Sequence, residues 1–224
     1  IELGSNALLS QVLSETVPHA LPAVLSGPTF ADEVARGLPT GVTLACADDA
    51  VSTALAKSLG SPTFRPYLSS DVIGAQIGGA LKNVVAIAAG IVAGRDLGEN
   101  AKAAVITRGL AEMLRFGEAL GGNGITLMGL SGLGDLVLTC GSSKSRNHTL
   151  GLALARGETA KDFLGARKSV AEGAYTAAAA MAIAQEKNID LPICEAVDAV
   201  INQGVGIDTA IEALLNRPFR AETG

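Results

Sequence analysis

A single lysine interrupts a long apolar segment of the sequence. Between Asp71 and Arg95 the only charged residue is Lys82, and glycines occupy positions 78 and 79, one helical turn before it. Lysines are rarely buried without a partner. Lys82 either reaches water from a helix edge or pairs with a structural carboxylate, or burial makes its charged form costly enough for proton exchange near neutral pH. The spacing leaves both interpretations open.

A second group of polar residues follows a glycine-rich run. Asp135 comes directly after the closely spaced Gly132 and Gly134, where a carboxylate could be held against a ligand. The triplet Ser145-Arg146-Asn147 precedes a predicted helix, whose amides and dipole, together with a guanidinium, would suit a phosphate. An ordinary polar loop with a capping Asn147 explains such a triplet more often. Both explanations stay open at this point.

A third candidate is the run SGPT at residues 26–29, which links a predicted strand to a predicted helix. Thr29 could cap that helix, and Asp32 would lie favourably in its first turn. Capping alone would account for the run. Ligands of α/β sheets gather beyond the carboxyl ends of strands, however, and this position favours a binding function.

The front of the chain predicts half of a Rossmann-type parallel sheet. Apolar runs of strand length alternate there with helical runs, which is typical of parallel α/β structure. The predicted strands cover 22–25, 42–47 and 63–67, and the predicted helices cover 7–13, 30–36 and 48–59.

Behind residue 70 the strand patterns give way to Ala-rich helical ones. Asp71 can cap a long helix that ends near Val92, and Asn100 can cap a second one that ends at Gly121. Further helices are predicted at 134–139, 147–155, 172–187, 193–202 and 208–215. We therefore predict an α/β part at 1–69 and a mainly helical domain at 70–224.

The composition argues against several classes of protein. The net charge is −5, and no Lys/Arg-rich patch with aromatic residues suggests a nucleic-acid partner. Three distant cysteines and two histidines predict neither disulfides nor a metal site, and they favour a reducing compartment. The apolar segment around Lys82 has the length of a membrane span, but Gln76, Lys82 and Asn83 at its middle favour a buried helix.

A complete dinucleotide-binding fingerprint is absent from the sequence. The glycine pairs Gly132/Gly134 and Gly204/Gly206 lack the third glycine of GxGxxG, and neither follows a clear strand. The sequence starts at Ile1 without a signal-peptide pattern. We expect the front of a dinucleotide-binding domain to lie outside it.

Six runs together resemble the bacterial NAD(P)-dependent glycerol-3-phosphate dehydrogenases, in their C-terminal portion without the front of the Rossmann domain. They share order and spacing with that family across nearly the whole chain. The runs are SGPTFA at 26–31, GALKN at 79–83, ITRGLAEM at 106–113, GLGDLVLTC at 132–140, SRN at 145–147 and VAEG at 170–173. The implied fold is a Rossmann remnant followed by a helical substrate domain like the C-terminal domain of 6-phosphogluconate dehydrogenase.

The resemblance implies a role for individual residues. Lys82 would be the proton donor and acceptor for the C2 oxygen of the substrate. The remaining substrate-binding residues would be Gly27, Thr29, Asp135, Ser145, Arg146 and Asn147. NAD or NADP would contact Ala31, Arg146, Val170 and Glu172. Asn83 and Thr139 are further candidates for the substrate site.

The implied activity is the interconversion of sn-glycerol 3-phosphate and dihydroxyacetone phosphate, which feeds glycerophospholipid synthesis. The resemblance also implies a cytoplasmic homodimer. Two alternatives remain at this stage: another Rossmann-plus-helical dehydrogenase that acts on β-hydroxyacids, and a non-catalytic helical dimerisation module. The runs GLGD and SRN disfavour the β-hydroxyacid alternative.

Overall fold

A computed structural model describes residues 1–165, 171–219 and 221–222. Its front part is a sheet of three strands in the order β1 (Ala23–Ser26), β2 (Thr40–Cys46) and β3 (Phe64–Ser69). The helices α1 (Leu9–Thr16), α2 (Ala31–Ala35) and α3 (Asp49–Leu59) accompany it. The predicted α/β architecture of this part is confirmed.

The direction of one strand differs from the prediction. β2 and β3 pair in parallel, but β1 pairs with β2 in the antiparallel direction, with Val24 opposite Ala45. The expectation of an entirely parallel sheet is therefore wrong for β1. The connection contains the five-residue helix α2, and after it the chain returns beside β1 in the opposite direction.

Helices make up the rest of the described chain, as predicted. The long pair is α4 (Val72–Gly94) and α5 (Gly98–Ala119). A short helix α6 (Gly124–Leu127), a π-helical turn (Leu130–Gly134), α7 (Asp135–Gly141), α8 (Arg146–Ala155) and α9 (Ala160–Gly165) follow. The chain continues with α10 (Glu172–Lys187), α11 (Pro192–Asn202) and α12 (Ile207–Leu215).

The start of α4 follows the prediction, whereas the start of α5 does not. The Asp71 carboxylate accepts a hydrogen bond from the Gly74 amide at 2.8 Å and caps α4. Asn100, the predicted cap of α5, lies inside the helix. Asp96 and Gly98 adopt φ angles of 52° and 86°. The chain therefore turns within a few residues, and α5 begins earlier than its sequence suggests.

α4 is the central helix of the helical part, and α5, α7, α8 and α10 pack around it. By length and composition, two described stretches could cross a membrane, Val72–Gly94 and Gly124–Gly141. In the first, 72% of the apolar window is buried inside the protein, and in the second 39%. The apolarity of α4 is thus accounted for by its place in the core.

Candidate functional site

Lys82 and Asp135 form an ion pair at the centre of the candidate site. The pair joins α4 to the first residue of α7, and only 18% of the Lys82 side chain and 4% of the Asp135 side chain are exposed. The Thr139 hydroxyl, one turn later on α7, donates a hydrogen bond to the Asp135 carboxylate at 3.2 Å. Burial raises the pKa of Asp135 above its usual range, while the Lys82 charge and the two hydrogen bonds oppose this increase.

Small residues allow α4 and the turn before α7 to approach closely. A Cβ atom on Gly78 would lie 2.2 Å from the backbone oxygen of Ser131, and one on Gly132 would lie 1.9 Å from that of Leu127. Gly132 is therefore needed for the packing of the turn against α6, and Gly78 for the backbone contact between α4 and the turn. Because Gly78 precedes Lys82 by one turn, this contact also sets the carboxylate of Asp135 opposite the ammonium group.

A chain of amide hydrogen bonds continues from the next residue of α4. The Asn147 amide nitrogen donates to the Asn83 side-chain oxygen at 2.9 Å, and the Gly173 backbone amide donates to the Asn147 side-chain oxygen at 2.9 Å. The Asn83 amide nitrogen donates to the Gly79 carbonyl at 3.1 Å. The N-terminal ends of α8 and α10 are thereby anchored next to Lys82.

The cap of α8 is Ser145, whose hydroxyl oxygen accepts a hydrogen bond from the His148 amide at 3.2 Å. Capping by Asn147, one of the two sequence-based explanations, is therefore wrong, because that side chain bridges Asn83 and Gly173 instead. Ser145 and Asn147 are both buried.

Arg146 and Glu172 lie at the exposed rim of the same region. Their side chains form an ion pair at 3.5 Å, and each is more than half exposed. A guanidinium has five N–H donors, so one ion pair leaves several of them for an anionic ligand. Arg146 stands in the first position of α8 and Glu172 in the first position of α10.

The loop after β1 covers the site from the side of the sheet. Gly27 has a φ of 149°, which favours glycine. The Thr29 hydroxyl donates to the Gly27 carbonyl at 3.1 Å, so Thr29 stabilises its own loop and, contrary to the prediction, does not cap α2. A Cβ atom on Gly79 would lie 3.1 Å from the Ser26 hydroxyl, and one on Gly134 would lie 3.6 Å from the Pro28 ring.

The tertiary structure thus connects most of the described sequence candidates to one region. The loop of Gly27 and Thr29 lies against α4, which carries Lys82, and against the turn that precedes Asp135. The amide chain connects that pair to the ends of α8 and α10, which carry the other polar candidates, and Ala31 begins α2. Val170 lies outside the described residues. Among the residues described, no group of three His, Cys, Asp or Glu side chains is placed to hold a metal ion.

The two further candidates, Asn83 and Thr139, both form side-chain hydrogen bonds in this region. Asn83 joins the amide chain and Thr139 bonds the Asp135 carboxylate. The signals available in the sequence were the adjacency of Asn83 to Lys82 and the four-residue spacing between Asp135 and Thr139 on one helix face.

The residues at the rim suit the phosphate, hydroxyl and amide groups of a nicotinamide dinucleotide. Arg146 retains donors for a phosphate, and the helix that it opens directs backbone amides and a positive dipole end outward. The carboxylate of Glu172 could accept hydrogen bonds from hydroxyl or amide groups. Arg146 and Glu172 thus offer hydrogen-bond donors and an acceptor at the rim of the site.

Comparison with known proteins identifies the same family over both parts of the chain. The model of the NAD-dependent glycerol-3-phosphate dehydrogenase N-terminus matches residues 1–52, and that of the C-terminus matches residues 71–212. The glycerol-3-phosphate dehydrogenases of Parvibaculum lavamentivorans and Rhodospirillum rubrum, both named for NAD(P)+, are each 56% identical over 100% of this chain.

A solved structure agrees with these sequence matches. The crystal structure of glycerol-3-phosphate dehydrogenase from Coxiella burnetii superposes with a TM-score of 0.92 and 41% identity, over 96% of this chain and 66% of that one. The chain spans 67% and 64% of the two bacterial relatives, about two thirds of their length. Since the C-terminal family model covers more than half of the sequence and these relatives match all of it, the chain belongs to the NAD-dependent glycerol-3-phosphate dehydrogenase family.

Proposed function

We propose that this chain provides the catalytic and substrate-binding part of an enzyme that interconverts sn-glycerol 3-phosphate and dihydroxyacetone phosphate with NAD or NADP. The buried pair of Lys82 and Asp135 beside the capped end of α8 carries this proposal. An ammonium group can exchange a proton with the C2 oxygen, while the helix end and Arg146 suit the phosphate of the same small molecule.

Lys82 is the proton-transfer group in this proposal. During reduction of the ketone, its ammonium donates a proton to the C2 oxygen, and during oxidation of the alcohol its neutral amine accepts that proton. Asp135 holds the ammonium in position and offers its own carboxylate to the substrate. Thr139 orients the Asp135 carboxylate through its hydrogen bond, and Asn83 connects α4 to α8 through its hydrogen bond with Asn147.

The other end of the substrate lies at α8. Ser145 and Asn147 are buried there, and Arg146 reaches the rim, so the phosphate would meet a hydroxyl, an amide and a guanidinium together. Gly27 and Thr29 would close the site from the loop after β1. The small distance between this loop and α4 supports their place in the substrate site.

The dinucleotide would bind between the sheet and the helical part. Ala31, Arg146 and Glu172 would contact it, together with Val170, and when bound it supplies the hydride acceptor or donor for C2. Arg146 would contact both the cofactor and the substrate, because it stands at the rim between the two sites.

Replacement of the lysine tests the proposal. In the full-length protein, Lys82→Ala is expected to lower kcat for dihydroxyacetone phosphate by at least about 100-fold, the usual contribution of a general acid or base. Circular dichroism should show an unchanged fold. Lys57→Ala, which removes an exposed lysine of α3, is the matched control.

Near-normal turnover by the Lys82→Ala protein would contradict the assignment. Two assays check the substrate class: reduction of dihydroxyacetone phosphate and of β-ketoacids with NADH and NADPH, and oxidation of β-hydroxyacids with NAD and NADP. We expect reduction of the phosphorylated ketone only, because the donors at α8 need a phosphate to pair with.

The protein is further proposed to be a cytoplasmic homodimer that supplies glycerophospholipid synthesis. The product carries a phosphate and two hydroxyl groups, the pattern on which acyl chains and a head group are assembled. Large apolar side chains stay exposed near the end of the chain, where Leu215 is 79% exposed and Phe219 fully so. A second copy of the chain would cover such side chains.

A further inference from the structure

We propose that Lys144 is a positioning residue, which fastens the loop before α8 to α2 and so holds the phosphate-binding end of the site against the cofactor-binding end. The inference rests on the proposed function, since it concerns how the two halves of that site are kept together. Lys144 lies one residue before Ser145, and its partners Asp32 and Glu33 follow directly after Ala31.

Three contacts connect Lys144 to the front part of the chain. Its ammonium nitrogen lies 2.9 Å from the Asp32 carboxylate, 2.7 Å from the Glu33 carboxylate and 5.4 Å from the centroid of the Phe30 ring. One cation is therefore shared by two carboxylates and an aromatic face, all within residues 30–33. These contacts cross from the helical part to the sheet part at the edge of the candidate site.

The loop that carries Lys144 is itself ordered by hydrogen bonds. The Lys144 amide donates to the Ser142 hydroxyl at 3.1 Å, and the Ser145 amide donates to the Ser142 carbonyl at 3.1 Å. The Thr149 hydroxyl donates to the Ser143 carbonyl at 3.2 Å. A displacement of the Lys144 side chain would therefore be transmitted to Ser145, the cap of α8.

The charges on the two sides are complementary, and each influences the other. The hydrogen bond from Lys144 is the main cause that lowers the pKa of Asp32, and the hydrogen bond to Glu33 is the main cause that raises the pKa of Lys144. A single exposed ion pair contributes little to stability. This network consequently acts on local geometry more than on the stability of the whole protein, and salt should weaken it.

Hydrogen exchange on the chain tests the positioning role without any activity measurement. Compared with the unaltered protein, Lys144→Met should increase exchange at the backbone amides of residues 142–149 and of α2, while the amides of α4 stay protected. Lys57→Met, at an exposed lysine of α3, is the control and should change neither segment. Equal exchange in the Lys144→Met and unaltered proteins would overturn the inference.

Kinetics of the full-length protein gives an independent readout. Lys144→Met should raise KM for dihydroxyacetone phosphate about threefold to tenfold and change kcat less than about twofold, because binding geometry is altered and the proton donor is not. Lys144→Arg, which can keep both carboxylate partners, should restore KM. The difference in KM between the unaltered protein and Lys144→Met should narrow as NaCl is added.

A double-mutant cycle identifies the partners. Asp32→Asn with Glu33→Gln should raise KM as Lys144→Met does, and the combination of all three changes should be no worse than either set alone. Additive effects would overturn the inference. If the unaltered protein reduces no dihydroxyacetone phosphate, the proposed function fails, and an activity that Lys144→Met leaves unchanged would overturn the positioning role alone.

Discussion

The carboxylate of Glu112 is buried in the helical part, away from the ion pair of the candidate site. Its side chain accepts hydrogen bonds from the backbone amides of Ile193 at 2.7 Å and Cys194 at 3.1 Å, at the first turn of α11. The residue is only 1% exposed. Burial raises its pKa to about 7, against the opposing effects of these hydrogen bonds and of Arg115.

This shift predicts a dependence of stability on pH. The Glu112 pKa is 4.5 in the unfolded state and about 7 in the folded state. At pH values between these two, the folded state keeps the proton that the unfolded state loses. The contribution of Glu112 to the free energy of unfolding is therefore fully present below pH 4.5, and it falls by about 3 kcal/mol as the pH rises to 7.

Denaturant unfolding at pH 5 and pH 8 measures this effect. Glu112→Gln should remove it, so that the stability difference between the two pH values changes by about 2–3 kcal/mol relative to the unaltered protein. Glu195→Gln, an exposed change on α11, is the control and should leave the difference as it was. An identical pH dependence in Glu112→Gln and the unaltered protein would show that Glu112 titrates normally.

At the scale of elements, the contact between α4 and α8 is made by glycines. A Cβ atom on Gly151 would lie 2.1 Å from the backbone oxygen of Ile87, and one on Gly90 would lie 2.1 Å from that of His148. The two helix backbones are therefore in direct contact. This contact sets the depth at which Asn147 meets Asn83, and so the place of the α8 end relative to Lys82.

Gly151→Ala is expected to push the two helices apart and to lower the free energy of unfolding by about 2 kcal/mol or more. Thermal or urea unfolding measures the change. Gly141→Ala is the matched control, because no neighbouring atom lies within 4 Å of its added Cβ. It should be neutral or stabilise by up to about 1 kcal/mol, since alanine favours a helix over glycine. Equal stability of the two variants would refute the packing argument.

Elements of this chain also differ in how far their sequence predicts them. α10 occupies the predicted residues 172–187, because an alanine-rich run with polar ends has no competing structure. The start of α5 depends on the turn at Asp96 and Gly98, which does not follow from helix propensity. The antiparallel direction of β1 likewise does not follow from its sequence, because an apolar run predicts a strand and not its direction.

At the scale of the whole molecule, the most apolar helix is buried, whereas several large apolar side chains lie on the surface. α4 has the hydropathy of a membrane span, yet other helices cover most of it. Apolar side chains at the end of the described chain remain uncovered instead. The protein should therefore associate with a second copy of itself and not with a lipid bilayer.

Light scattering in buffer without detergent is expected to give about twice the 22.5 kDa mass of one chain. The protein should stay at the bottom of a density gradient when it is mixed with phospholipid vesicles, because the Lys82 side chain already has its partner inside the helical part. Flotation with the vesicles would contradict this prediction, and a monomeric mass would contradict the homodimer.

The sequence by itself determined the fold class and the mainly helical character of the described chain behind residue 70, and it supplied the candidate site residues. Hydrophobic periodicity and capping residues act locally, so they can be read one segment at a time. The sequence could not decide between the two interpretations of Lys82, or between the two explanations of the SRN triplet. Those depend on which groups meet across the fold.

Only the tertiary structure decided that Lys82 pairs with Asp135, that Asn147 bridges two helices and that Ser145 caps α8. These contacts join residues far apart in the chain, where helices approach each other closely. Glycines allow such approaches, but their positions in the sequence do not predict which helices meet. The contact of Lys144 with Asp32 and Glu33 is of the same kind. An exposed lysine has no periodic pattern, and its role depends on which carboxylates the fold brings opposite it.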